Sequence, residues 1–76
     1  MENLFNLFKG LLITFPTYKG IVCGYDESRF ILAVETKDDK KFFRKLQYDV
    51  ILPEYKDSKY RYIFINESDI LKQHSL

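Results

Sequence analysis

Cations and aromatic rings interleave in two stretches of this chain. The first is Lys41-Phe42-Phe43-Arg44-Lys45, preceded by Lys37 and Lys40. In the second, Lys56, Lys59 and Arg61 stand among Tyr55, Tyr60 and Tyr62. Two kinds of chemistry use such a mixture. Cations hold phosphates while rings stack on bases. Tyr, Phe and Arg also anchor protein interfaces, where they are enriched. The plainer alternative is a solvated edge whose rings belong mostly to the core. The acids Asp38, Asp39, Asp49, Glu54 and Asp57 lie close by in sequence, which places protein ahead of nucleic acid. Lys41, Phe42, Arg44, Tyr55, Tyr60 and Tyr62 are therefore the candidate partner-binding residues. Another protein is the expected partner, and RNA or DNA is the alternative.

Nothing comparable points to catalysis. The single histidine, His74, stands two residues from the end of the sequence. A general base must be held in geometry, which a frayed end does not provide. Cys23 sits beside Gly24 in an apolar run and reads as a buried structural thiol. A nucleophilic cysteine would want a positive, partly exposed site. The acids occur singly or as the turn pairs Asp26-Glu27 and Asp38-Asp39, without the further oxygen ligands a metal site needs. No glycine-rich phosphate loop is present. The expectation is no enzyme, no catalytic residue, no metal and no cofactor.

Composition bounds the rest. Twelve Lys and Arg stand against eleven Asp and Glu. That balance excludes the strong basic excess of a dedicated nucleic-acid binder and the acidic excess of a DNA mimic. Seventy-six residues make one domain with a marginal core. Six Tyr and seven Phe compensate, because large rings bury much area each. One cysteine makes no disulfide and favours a reducing, cytoplasmic setting. Leftover apolar surface keeps homodimerisation open. The apolar amino-terminal stretch is interrupted by Lys9 and Pro16, which is too short for a membrane span. It also lacks the basic start and cleavage site of a secretory signal. Phe, Tyr, Ile, Lys and Asn, encoded by AT-rich codons, are abundant, while Ala occurs once. An AT-rich genome fits, such as that of a low-GC bacterium, its phages or its plasmids.

The elements that must position these residues follow from hydrophobic period. Residues 3–12 carry Leu4, Phe5, Leu7, Phe8, Leu11 and Leu12 at helical spacing, and predict an amphipathic helix with Asn3 as its cap. Residues 18–25 and 30–36 read as a hairpin across a polar turn. Gly20 and Gly24 in its first strand suggest a bulge or a close backbone approach. The second strand is apolar on both faces, so it should be covered twice. A third strand is expected near residues 41–46, continuing or followed by another up to residue 52, where Pro53 ends it. Residues 60–65 predict a late strand. Residues 68–71 predict a capped helical turn, and the residues after it should fray. Ile21, Leu32 and Ile63, each mid-strand, are the expected core.

The run Lys19-Gly20-Ile21-Val22-Cys23-Gly24-Tyr25, then Arg29-Phe30-Ile31-Leu32-Ala33-Val34, and the closing Tyr62-Ile63-Phe64-Ile65-Asn66-Glu67-Ser68-Asp69-Ile70 resemble small barrels of the Src-homology-three, Tudor and KOW type. The resemblance covers residues 18–71. It implies a mainly β, five-stranded barrel with an added amino-terminal helix, in which Ile70 is the apolar residue of the final turn. The aromatic and acidic loops of proline-peptide binders and the aromatic cage of methyl-lysine readers are absent. No functional residue carries over. The expected function is a non-catalytic adaptor or inhibitor that binds another protein, with a phage or mobile-element accessory role as one setting. The alternative is a KOW-like or Tudor-like module on nucleic acid.

Overall fold

In the computed structural model, residues 2–35, Phe42, 50–56 and 59–74 are described. The elements are helix α1 (Glu2–Phe8), strands β1 (Leu12–Thr14), β2 (Lys19–Asp26) and β3 (Arg29–Glu35), a 3-10 turn (Pro53–Tyr55), strand β4 (Tyr60–Asn66) and helix α2 (Glu67–His74). The four strands form one antiparallel sheet in the order β1-β2-β3-β4. The fold is mainly β, as expected. Among the described residues, however, the sheet is open and four-stranded, and the closed five-stranded barrel is not found. The third strand expected near residues 41–46 lies outside the described residues, apart from Phe42.

Helix α1 is shorter than its hydrophobic period suggests. It stops at Phe8 because Gly10 turns the chain at φ 83°, a conformation glycine adopts without strain. The Gly10 amide then donates to the Val22 carbonyl at 2.8 Å, and the Val22 amide donates to Leu11 at 2.9 Å. Leu12 and Ile13, expected in or just after the helix, are strand residues instead. Pro16 ends β1, and the Phe15 amide donates to Tyr18 at 2.8 Å to close the turn into β2.

The β2–β3 hairpin forms where the alternation placed it. Asp26 pairs with Arg29, leaving Glu27 and Ser28 as the turn, at φ 48° and 66°. Positive φ at both positions is the mirror-image geometry that matches strand twist in two-residue hairpins. Non-glycine residues reach it at a cost of about 1 kcal/mol or more each. Helix α2 holds this tip. The Glu67 amide donates to the Ser28 carbonyl at 3.1 Å, and the Tyr25 hydroxyl donates to the Glu67 carboxylate at 3.0 Å. Helix α2 runs on to His74, beyond the short turn expected and through residues expected to fray. Its acidic first turn, Glu67 and Asp69, suits the positive end of the helix dipole.

Strand β3 is buried on both faces. On the first face Phe30, Leu32 and Val34 pack with Ile13 and Val22 under Phe8, Phe42 and Ile70. On the second face Ile31 and Ala33 pack with Cys23, Tyr60 and Tyr62 under Ile51. Helices therefore cover one face, and the segment around Ile51 covers the other. Leu32 is fully buried, as expected. Ile21 and Ile63 are only half-buried, because each lies on a strand that its cover reaches incompletely. Ile63 still packs against the first cluster, whereas Ile21 joins neither.

Strand β2 serves two neighbours along its outer edge. Leu12, Ile13 and Thr14 pair with Ile21, Gly20 and Lys19, while Ile51 bridges to Gly24. The handover falls where the β2–β3 register shifts between Val22 and Gly24, which is a bulge at Cys23. A Cβ on Gly24 would collide with the Val50 carbonyl oxygen. A Cβ on Gly20 would meet mainly side-chain atoms, the nearest being Leu32 Cβ at 2.9 Å. Gly24→Ala is therefore expected to destabilise by about 3 kcal/mol, near the top of the range for overpacking, and by more than Gly20→Ala. Urea unfolding of both variants checks the order. Equal midpoints for Gly24→Ala and the parent chain would refute the close approach.

The hairpin tip gives a prediction of opposite sign. Replacing Glu27-Ser28 with Asn-Gly removes the left-handed strain and keeps the Ser28 carbonyl contact. The double variant should gain about 1 kcal/mol and raise the melting temperature by about 4–8 °C. A calorimetric scan showing no gain would mean that the turn is unstrained.

Candidate functional site

The structure divides the residues singled out from sequence. Lys41 and Arg44 lie outside the described residues. Phe42 is buried in the first core, edge-on to Tyr18 at 5.3 Å between ring centroids. Tyr60 and Tyr62 are buried in the second core, and Tyr55 packs half-buried beside them. The Tyr62 hydroxyl donates to the Tyr55 carbonyl. Tyr55 and Tyr60 rings lie 5.6 Å apart. The structure thus brings the three tyrosines together and sets Phe42 on the opposite face of the sheet. Alternation puts Tyr60 and Tyr62 on one face, since ladder residues two apart share a face, and the 3-10 turn brings Tyr55 to them.

Among the described residues, the second face is covered over only part of its area. Ile51 and Tyr55 shield the region around Cys23, Ile31 and Tyr62. Beyond them a groove of about 360 Å³ opens along β1, β2, β3 and the start of β4. Leu12, Ile21, Ala33 and Tyr60 line it, with the Gly20 backbone, Lys19 and Glu35. Leu12 pairs with Ile21 and Ile21 with Ala33, so these three lie side by side across three strands. Leu12 is 53% exposed. Close to the groove, the Lys59 ammonium sits 5.1 Å from the centre of the Tyr60 ring and 3.5 Å from the Glu35 carboxylate. The groove accordingly offers an apolar lining, a polar rim and an aromatic wall.

Of the groove residues, only Tyr60 was singled out from sequence. Leu12 was missed because its helical spacing from Phe5 and Phe8 concealed a change of element. Ile21 was read as core because its flanks are apolar. A usable signal was present: Gly10 can end a helix, and Leu11-Leu12-Ile13-Thr14-Phe15 is a strand-like run that Pro16 closes.

Other groups that could do chemistry are held quiet. Cys23 is fully buried, and its Sγ donates to the Ile31 carbonyl at 3.4 Å. Burial pushes its thiol up to about 12, the opposite of an activated nucleophile. Burial also raises the Tyr18 phenol above its ordinary value. Among the described residues no three His, Cys, Asp or Glu side chains gather where a metal ion could be held, and no helix is long and apolar enough to cross a membrane. At the far end of the hairpin the Arg29 guanidinium lies 4.2 Å from the centre of the Phe64 ring and 3.8 Å from Asp26.

The Cys23 thiol makes stability depend on pH. In the unfolded chain it ionises near pH 9, while in the fold it holds its proton to about 12. The folded state therefore binds more protons in that window, and stability falls as pH rises through it. Cys23→Ala should flatten the fall in urea midpoint between pH 8 and 10. At pH 8 a thiol reagent should label the parent chain only through unfolding, faster as urea is added. Fast labelling without urea, or an unchanged slope in Cys23→Ala, would contradict the burial.

In comparisons with family models, with curated proteins and with solved structures, nothing matches this chain.

Proposed function

We propose that the chain is a non-catalytic binding module, an adaptor or inhibitor that engages another protein through the groove on the second face. The observation that carries this reading is the exposed Leu12 beside the half-buried Ile21. A chain of this size needs every apolar contact it can make. Among the described residues it leaves Leu12 exposed and Ile21 half-covered beside the charged side chains of Lys19 and Glu35. An apolar centre with a polar rim is the anatomy of a protein contact. Tyr60 contributes a rigid ring at little entropy cost, which retains one residue of the site expected from sequence.

The two-partner edge of β2 also supports a finer view of the fold. Ile51 occupies the place where a further strand would begin to curl the sheet, as in small Src-homology-three-like and KOW-type barrels. A reducing cytoplasmic setting suits the buried free thiol. The AT-rich residue usage suits a phage or mobile-element accessory.

Capture from a lysate of the chain's own cells tests the function, with immobilised parent protein and the variants Leu12→Asn and Ile21→Thr. Both substitutions keep strand-compatible volumes at positions that are not fully buried. The expected result is a protein partner that survives nuclease digestion and binds the variants about thirtyfold more weakly, the equivalent of about 2 kcal/mol at a hot spot. Equal capture by folded variants would overturn the groove. Capture abolished by nuclease, with affinity falling steeply as salt rises, would instead favour a nucleic-acid module.

A further inference from the structure

Resting on the groove reading above, we infer that the partner segment is an acidic peptide, in which an apolar side chain enters the groove and an adjacent carboxylate meets Lys19. Lys19 and Glu35 stand two residues beyond the paired Ile21 and Ala33, on the same side of their strands, and both line the groove. Their charges are not equivalent. Glu35 is neutralised by Lys59 at 3.5 Å. The Lys19 ammonium makes no ion pair or hydrogen bond among the described residues, and neither does the Tyr60 hydroxyl. Among the described lining residues the Lys19 ammonium is therefore the charge left without a partner, and the unused groups include two hydrogen-bond donors.

That arrangement selects by sign. A cationic segment would meet Lys19 and Lys59 as like charges and would find Glu35 already engaged. A carboxylate would gain Lys19 without breaking the Lys59–Glu35 pair. The volume of about 360 Å³ lies at the small end of ligand sites and suits one or two side chains rather than a folded surface. Leu12 and Ile21 supply the apolar contact, which carries affinity, over a floor formed by the buried Ala33 and Tyr60. Lys19 is exposed, so its share is selectivity of modest size.

Three capped peptides test the inference by amide chemical-shift titration of the full chain: acetyl-Leu-Phe-Asp-amide and its counterparts ending in Asn or Lys. The expected result is perturbation of the Leu12, Ile21, Ala33 and Tyr60 amides, with the Asp peptide binding about fivefold more tightly than the Lys peptide. Lys19→Ala should level the series and Lys19→Glu should invert it, each first shown to be folded by its spectrum. Equal affinities for all three peptides at those amides would overturn the charge preference and leave the groove standing. No shift at those amides with any peptide would overturn the groove as well. Octanoate binding there more tightly than the Asp peptide would overturn the peptide in favour of a lipid carboxylate.

Discussion

The structure depends on the approach of the Val50 carbonyl to Gly24. Only a residue without a side chain lets the chain at residues 50–52 come this close to β2. From that contact follow the Gly24–Ile51 bridge and the hydrogen bond from the Leu52 amide to the Cys23 carbonyl at 2.8 Å. Ile51 then lies over Cys23 and Ile31. Pro53 starts the 3-10 turn that delivers Tyr55 to the Tyr60 ring and its carbonyl to Tyr62. The whole cover of the second face is thus anchored at one glycine, and the groove begins where that cover stops.

A single sheet with two thin covers is a particular answer to a small chain. Burying each side chain of β3 stabilises by about 1.5–3 kcal/mol, and β3 achieves this on both faces because its residues are apolar without alternation. Rings do much of the covering. Phe8 meets Phe30 at 5.7 Å, Tyr25 meets Phe30 at 5.3 Å, and Phe15 stacks on Tyr18 at 4.9 Å. Such pairs add to area burial through edge and offset geometry. Among the described residues the covers differ in kind: two helix faces with Phe42 on one side, the bridge at Ile51 and a 3-10 turn on the other. The second is the less complete, which is why Ile21 and Leu12 stay open there.

What was legible in the sequence was the local period. The β2–β3 hairpin, the β4 strand, the tight role of Gly24 and the double burial of β3 all follow from alternation and from glycine inside strands. The length of α1 was not legible, since Leu4, Leu7, Leu11 and Leu12 keep a helical rhythm through Gly10. The site was only partly legible. Interleaved cations and rings mark a surface by composition, but composition does not say which face a ring takes. Tyr60 and Tyr62 point into the second core, and Phe42 into the first. The groove depends on the register between β1 and β2, which becomes visible only once Leu12 is assigned to a strand rather than to α1.

The order of strands in the sheet is the order of strands in the chain. The β1–β2 and β2–β3 ladders join near neighbours in sequence, the second closing over only two residues, whereas β3–β4 pairs residues 25 to 37 positions apart. Short loops cost little chain entropy to close, and folds rich in local contacts reach their native state quickly. Three features lie off that local pattern: the pairing of β4 with β3, the return of Ile51 to β2, and the hold of Glu67 on Tyr25 across 42 positions. The β1–β2–β3 meander should consequently assemble first, with β4, the second-face cover and the α2 clasp closing later. The last contacts to close are also those most readily lost in transient opening, so the boundary of the groove coincides with the part of the molecule whose amides should exchange with solvent soonest.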